Sequence, residues 1–362
     1  MKKYTTEELC LLWLDSFIGL EYKHKAELYN LINGKPKITD VLEKGKDYII
    51  SNIGEKDYQL IKNSANDIYL KYVLDELKRR KVRAITIDSQ EYPKSLKETP
   101  VPPLVLYYKG DITLLKENLF GIVGSRKCLP IAKKMAEEYT KTLMNSGFIA
   151  VTGTAEGIDE SVLNTALNNG GKVISVLAGG FDHIYPATNI ELLDKISEKG
   201  LVITEHSPET VTKPYFFPVR NRIIAGLSKG VLVVSAALKS GAIYTAEYAE
   251  EYGRDLFAVP YGVGVPTGAG CNELIKRGAK LTDVPDDILN YYGIEIKKQE
   301  MELTEIESEI VKALSDGNLH IEKISQLVNK PIYVLSPTLS AMEIKGIVIK
   351  TGVNVYGLTR GR

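Results

Sequence analysis

Cysteine is scarce: Cys10, Cys128 and Cys271 are the only three in 362 residues, they lie far apart without CxxC spacing, and only four histidines accompany them. Such a set supports neither a disulfide framework nor a zinc cluster, and a reducing, cytoplasmic setting is expected. Long apolar runs are missing too. None reaches the roughly 18 to 20 residues that cross a bilayer, and the first residues lack the basic, apolar and small-residue succession of a signal peptide, which excludes membrane insertion. Charge of one sign is not in excess, since 46 Lys and Arg balance 46 Asp and Glu. A polyanion would have to be met by a local patch, because the chain as a whole offers no basic field. Neither GxGxxG nor GxxxxGK followed by Ser or Thr occurs, so nicotinamide oxidoreductases and P-loop NTPases lose their best support.

What is present is organised in three parts. From about Thr5 to Arg80 the apolar residues recur with helical spacing, Leu9, Leu12, Trp13, Phe17 and Leu20 on one face and Leu28, Leu31 and Ile32 on the next. A small helical domain over residues 1–81 is expected, closed by Lys78-Arg79-Arg80-Lys81, a charge run that reads as a solvated helix end or as a phosphate contact. From Val82 the pattern changes to short β-branched runs separated by helical stretches: 83–87, 104–108, 121–124, 149–152, 173–177, 201–204, 231–234 and 256–259. Most are continuously apolar, as strands covered on both faces are, so an α/β fold with a doubly wound parallel sheet is expected over residues 82–290. A polar linker, 291–302, includes Lys297-Lys298-Gln299-Glu300. Over 303–362, helical stretches at Leu303 to Leu314, Ile321 to Val328 and Pro331 to Lys345 precede two strands around a turn at Gly346 to Gly357, a winged-helix pattern.

The stretch Phe217-Pro218-Val219-Arg220-Asn221-Arg222 sets two guanidinium groups and an amide at the start of a helix that Pro218 fits and that Ile223, Ile224 and Leu227 face inward. Arginine presents a rigid fork matched to phosphate, a helix N-terminus attracts anions, and no carboxylate in the stretch neutralises the pair, so an external counter-charge is expected. Gly124-Ser125-Arg126 ends one strand and precedes a helix opened by Pro130 and closed by Gly147. Its backbone N–H groups and hydroxyl suit a phosphate that Arg126 clamps, and it also suits a plain strand-to-helix turn. Thr152 to Asp159 repeats the arrangement, with Gly153 and Gly157 for the turn and Asp159 as a helix cap. A third loop, Ala178 to Asn189, places Asn189 to cap the next helix and carries His183, which no Ser or Cys nucleophile motif accompanies. Lys213 with Tyr215, Phe216 and Phe217 offers charge for a backbone and π-faces for bases, at most one of the two phenylalanines facing a base. Lys239-Ser240-Gly241 adds another cation and hydroxyl at a strand end. These loops converge on one rim whose content is glycine, hydroxyl and cation, without catalytic carboxylate pairs, metal-ligand sets or triads, which favours binding over catalysis.

These motifs resemble the DNA-processing protein A family, also called DprA or Smf. The resemblance rests on Gly121 to Arg126, Gly157-Ile158-Asp159, the Gly-x-Asp-x-x-Tyr-Pro loop at Gly180 to Pro186, Phe217 to Leu227 and Lys239-Ser240-Gly241, with a lead-in at Asp88, Tyr92-Pro93, Leu96 and Pro102 to Gly110. It implies an extended Rossmann-like domain between a helical domain of sterile-alpha-motif or helix-hairpin-helix type and a winged helix. It also implies a homodimer that binds single-stranded DNA and helps load the RecA recombinase on incoming strands in natural transformation, without catalytic turnover, metal or cofactor. Carried over by position, the DNA site comprises Gly124, Ser125, Arg126, Lys213, Phe217, Arg220 and Asn221, with Lys239 and Ser240 at its edge, whereas Arg222 serves an internal carboxylate. Val162-Leu163 stands where the family has Ala-His, and Ser235 where Glu is common. The segment Pro331 to Ser336 resembles a recognition helix poor in Lys and Arg, a protein contact or a weak duplex contact.

Two rivals share the scaffold. A nucleotide phosphoribohydrolase needs a Pro-Gly-Gly-x-Gly-Thr loop followed by Glu, a string absent here, Glu156 and Glu247 being the nearest carboxylates to glycine loops. A nucleotide-sensing regulator would read duplex DNA through the winged helix.

Overall fold

The computed structural model describes residues 3–17, 20–32, 37–294 and 303–359. The chain divides into two compact units, Met1–Ile288 and Leu289–Arg362; Lys297 to Glu300 lie outside the described residues.

The first unit opens with six helices: α1 (Thr6–Asp15), α2 (Tyr22–Leu31), α3 (Ile38–Lys44), α4 (Lys46–Ile53), α5 (Glu55–Asn63) and α6 (Asp67–Arg79). Thr5 starts α1 with a capping box, its hydroxyl accepting from the Glu8 N–H while the Glu8 carboxylate accepts from the Thr5 N–H. Trp13, Leu14, Leu20, Leu28, Val41, Ile49 and Ile61 form the core of this layer. Leu31, expected on the inner face, is exposed instead, because it ends α2. The basic run closing α6 is neither free nor solvated throughout: Arg80 is nearly buried, and it bonds Glu76, Asp182 (2.8 Å) and Glu209 (2.6 Å), tying α6 to two loops of the sheet region.

The sheet elements follow as β1 (Arg83–Thr86), α7 (Lys94–Lys97), β2 (Val105–Gly110), β3 (Asn118–Gly124), α8 (Pro130–Asn145), β4 (Phe148–Thr152), α9 (Ile158–Asn168), β5 (Val173–Val176), α10 (Ile190–Lys199), β6 (Leu201–Thr204), α11 (Phe216–Leu227), β7 (Gly230–Ser235), α12 (Gly241–Glu251), β8 (Asp255–Ala258), α13 (Ala269–Lys276) and β9 (Lys280–Leu281). They build a nine-stranded sheet in the order β1-β2-β6-β5-β4-β3-β7-β8-β9. It is parallel from β6 to β9, but β1 pairs with β2 and β2 with β6 antiparallel, a departure from the wholly parallel expectation. Antiparallel addition needs no crossover helix, and the segment between β1 and β2 holds only the four-residue α7. Strand β9, two residues long, has too little pattern to be read from sequence.

The chain winds outward from β3 through β4, β5 and β6, then returns to the other side of β3 to lay down β7. That reversal is the topological switch point, where loops leaving neighbouring strands diverge and open a crevice. Helix α14 (Asp286–Tyr291) follows.

The second unit contains α15 (Glu305–Ala313), β10 (Leu319–His320), α16 (Ile321–Val328), α17 (Ile332–Ile344), β11 (Val348–Gly352) and β12 (Val355–Leu358), with a three-stranded sheet in the order β10-β12-β11. Thr304 and Glu307 make a second capping box. Ile310, Ile324, Leu335, Leu339, Met342 and Val348 form a separate core. Two-residue β10 is again absent from the sequence reading.

Candidate nucleic-acid interface

A cleft of about 540 Å³ opens at the switch point. Its walls are the loop after β3, the start of α9, the first two turns of α11 and the loop that leads from β7 into α12. The two flanking loops are fastened together: Ser125 N–H donates to Ser235 O at 2.8 Å, and the Ser125 and Ser240 hydroxyls lie 3.0 Å apart. Ser240 is also the N-cap of α12, so the positive end of that helix faces the same space.

Glycine is required at two points. A Cβ on Gly124 would come within 2.5 Å of Ile158 Cγ1, so the strand can lie against α9 only without a side chain there. Gly157 has φ of +90° and passes beneath the carbonyls of Ser125 and Arg126, which its Cβ would meet at 2.6 and 2.5 Å.

Of the residues expected at the site, the structure gathers Gly124, Ser125, Arg126, Phe217, Arg220, Asn221, Lys239 and Ser240 around this one cleft, together with Lys127. It does not bring Lys213 there: its side chain lines a different cavity and stands 5.8 Å from the Tyr215 ring. Arg126 and Lys239 are exposed at the mouth, and the Arg126 guanidinium lies 4.8 Å over the ring of half-buried Phe217. The lining carries the cations Arg126, Lys127, Arg220 and Lys239 against the single carboxylate of Asp159.

The expectation of an external counter-charge for the two α11 arginines is corrected. Arg222 is 3% exposed and ion-paired with the equally buried Glu205, just past β6, the internal carboxylate foreseen for it. Arg220, 4% exposed, forms the floor rather than the mouth: it donates to Val176 O and through Nε to Asn221 Oδ1 at 3.1 Å. Burial pushes its pKa down to about 10, with the Asp159 carboxylate acting in the opposite sense. Asp159 is itself shifted upward by burial, against the pull of Arg220. Both counter-charges come from segments remote in sequence, so no local motif disclosed them.

Asn221 spends one amide N–H on Gly241 O at 3.0 Å, locking α11 to the start of α12. Asp159 is not the helix cap expected of it: Gly157 occupies that position, and Asp159 Oδ2 instead accepts from Ala155 N–H at 3.3 Å. Asn189 sits at the N-cap of α10 without capping it, its amide donating to Thr154 O at 2.9 Å and joining two rim loops. Phe216 and Phe217 point to different neighbours, Phe216 stacking on His206 with ring centres 4.2 Å apart. His183 is exposed, and Val162 and Leu163 are fully buried in α9. Ser235 donates its hydroxyl to Thr267 O at 2.9 Å.

Two aromatic residues near the cleft were not singled out. Tyr185 packs edge-on to Phe217 with centres 5.8 Å apart, and Tyr244 lines the cleft from the first turn of α12. Tyr185 belongs to the Gly-x-Asp-x-x-Tyr-Pro loop, so the motif held the signal; for Tyr244 the sequence offers only its place three residues after Gly241, and its exposure is set by the tertiary structure.

Residues 83–293 match the family model described as DNA recombination-mediator protein A. The chain is 39% identical over 248 residues to the DNA processing protein DprA of Bacillus subtilis, covering 68% of this chain and 82% of the relative. The X-ray structure of DNA processing protein A from Streptococcus pneumoniae superposes with a TM-score of 0.68 at 32% identity, over 80% of this chain and 98% of that one. A Helicobacter pylori DNA processing protein A, described for its single-stranded DNA binding mode, gives a TM-score of 0.54 at 28% identity, over 59% of this chain and 95% of that one. A family-model match over more than half of its length, joined by these relatives, places the chain: it belongs to the DNA recombination-mediator protein A family.

Proposed function

We propose that this protein binds single-stranded DNA in the cleft at the β3/β7 switch point and acts as a recombination mediator. The observation that carries the reading is Arg126: an exposed guanidinium without an ion pair among the described residues, resting on the Phe217 ring at the mouth of a cleft whose cations outnumber its one carboxylate. Single strands ask for that pairing of charge and π-face, one for phosphate and one for a base. In this reading Arg126 and Lys239 hold phosphates, Gly124, Ser125 and Ser240 supply uncharged donors, Phe217 stacks on a base, and Arg220 and Asn221 stiffen the floor beneath them. Lys213 meets the strand outside the cleft. The chemistry is binding without turnover, and among the described residues the cleft lining offers one carboxylate and no nucleophile beside a base.

The family membership supports the finer parts of the proposal: a cytoplasmic homodimer that loads RecA on incoming strands during natural transformation. The helical layer would be its sterile-alpha-motif or helix-hairpin-helix domain, and the α15 to β12 unit its winged helix, with domains at 1–81, 82–290 and 303–362. The outward positions of α17 include Tyr333 and Ile344, which favours a protein contact over a phosphate contact for that helix.

The test is a titration of labelled oligo-dT against the intact protein, with matched duplex as control. Tight binding of the strand, weak binding of the duplex and a log-log salt slope of roughly −0.7 per phosphate neutralised are expected. Equal affinity for both forms, or affinity insensitive to salt, would overturn the proposal.

A further inference from the structure

The segment from β5 to α10 and the one from β6 to α11 lie side by side as they leave the sheet. Asp182 N–H donates to Pro208 O and Gly180 N–H to Thr210 O, both at 2.9 Å, and the Thr212 hydroxyl donates to His183 O. Two aromatic rings stand in solvent on this pair of segments, Tyr185 at 55% exposure and Tyr215 at 51%. Both are anchored. The main-chain O of Tyr185 accepts from the Thr154 hydroxyl at 3.3 Å, and its ring meets Phe217 at the cleft. Tyr215 is the N-cap residue of α11, and its ring sits edge-on to Phe216, centres 4.7 Å apart, while Phe216 itself stacks on His206. Lys213 Nζ stands 5.8 Å from the centre of the Tyr215 ring, so the cation-over-ring arrangement of Arg126 and Phe217 recurs two residues earlier in the chain.

The carboxylates near this seam are already engaged. Between Ala178 and Asn189 and between His206 and Tyr215 the only two are Asp182 and Glu209. Both are drawn onto Arg80 of the N-terminal layer, whose other partner, Glu76, is shared with Arg79. In the wall of the cavity that Lys213 and Tyr215 border, Asp15 and Glu205 are paired as well, with Lys25 at 2.9 Å and with Arg222, which leaves Glu21 against Lys23 and Lys213. Lys213 is therefore the one Lys, Arg, Asp or Glu on the two segments that has no ion pair among the described residues. Exposed rings interleaved with an unpaired cation suit an unpaired polynucleotide of any sequence, because every base has a π-face and every linkage a charge. We propose that this seam continues the strand cleft, with bases stacking on Tyr185 and Tyr215 and Lys213 holding a phosphate, so that the bound strand runs from Arg126 and Phe217 outward over both segments. The inference rests on the single-strand reading of the cleft and adds the two tyrosines to it.

Titration of the full chain with oligo-dT, and with a fully abasic strand of the same length, tests it. Removing a stacking ring should show on the first and not on the second, whereas damage to the phosphate contacts shows on both. Y215A should weaken oligo-dT by about fivefold or more and lose that effect on the abasic strand, and Y215F, which restores the ring, should recover the parent affinity. Y185A should behave as Y215A does, and should weaken oligo-dT in an F217A background too, which separates a base on its own ring from a brace for Phe217. K213A should weaken both strands and make the log-log salt slope shallower by about 0.7. Both tyrosines are exposed, so the variants are expected to fold, and their melting temperatures check it. Undiminished oligo-dT binding by Y215A and Y185A overturns the inference, as do equal losses on the two strands, and in either case oligo-dT binding by the parent and its loss in R126A leave the cleft reading standing. A parent chain that binds no strand overturns the cleft reading, and this inference with it.

Discussion

Arg126 keeps its guanidinium in solvent over the Phe217 ring, whereas Arg222, on α11, is sealed against Glu205. The difference in surroundings dictates opposite consequences on removal. Arg126→Ala should weaken binding to strands of every sequence and make the log-log salt slope shallower by about 0.7, since one phosphate contact is lost, with little change in stability. Arg222→Met should cost about 3–5 kcal/mol in chemical denaturation, because it strands the Glu205 carboxylate in the interior. His206 gives a pH signature. Its pKa in the fold is depressed, first by burial, with Arg222 and Lys25 adding to the effect and Glu205 and Asp15 opposing it. The unfolded chain therefore takes up a proton near pH ~6.5 that the folded chain refuses. The stability tied to the neutral ring is complete above that pH and is lost as the pH falls through it toward the folded value. Melting temperatures followed from pH 8 to 5 should drop more steeply for the parent than for His206→Asn.

Among the elements, the turn between β4 and α9 supports the one that carries Arg126. Gly157 combines a φ of +90° with carbonyls of Ser125 and Arg126 just above it. Gly157→Ala is then both strained and displacing, and about 1–3 kcal/mol of destabilisation is expected for a non-glycine residue held there. Because the displaced atoms belong to the Arg126 loop, oligonucleotide affinity should fall as well, read by the same titration, although residue 157 lies outside the cleft lining. Helix α11 shows how much of an element's role was legible. The Phe-Pro start, the buried Ile223, Ile224 and Leu227 and the rim position follow from periodicity and from Pro218. What Arg220 and Arg222 touch does not, since their carboxylates stand on α9 and after β6.

The whole molecule consists of two units with separate cores, so a ligand of one acts on the unfolding of that one. Saturating oligonucleotide should raise the calorimetric transition of the Met1–Ile288 unit, by RT ln(1 + [L]/Kd), and leave that of the smaller unit in place. An equal shift of both would show that the strand engages both.

Apolar runs of the right length and spacing decided most of the strands, the helices between them and the gathering of glycine, hydroxyl and cation at one rim, because these depend on local periodicity and on the rule that crevices open at the carboxyl ends of parallel strands. Tertiary structure alone decided which charges remain free. Ion pairing and burial depend on contacts between segments distant in the chain, and on those contacts Arg126 was left open, Arg80, Arg220 and Arg222 were committed to the interior or to neighbouring loops, and Lys213 was turned to a second cavity.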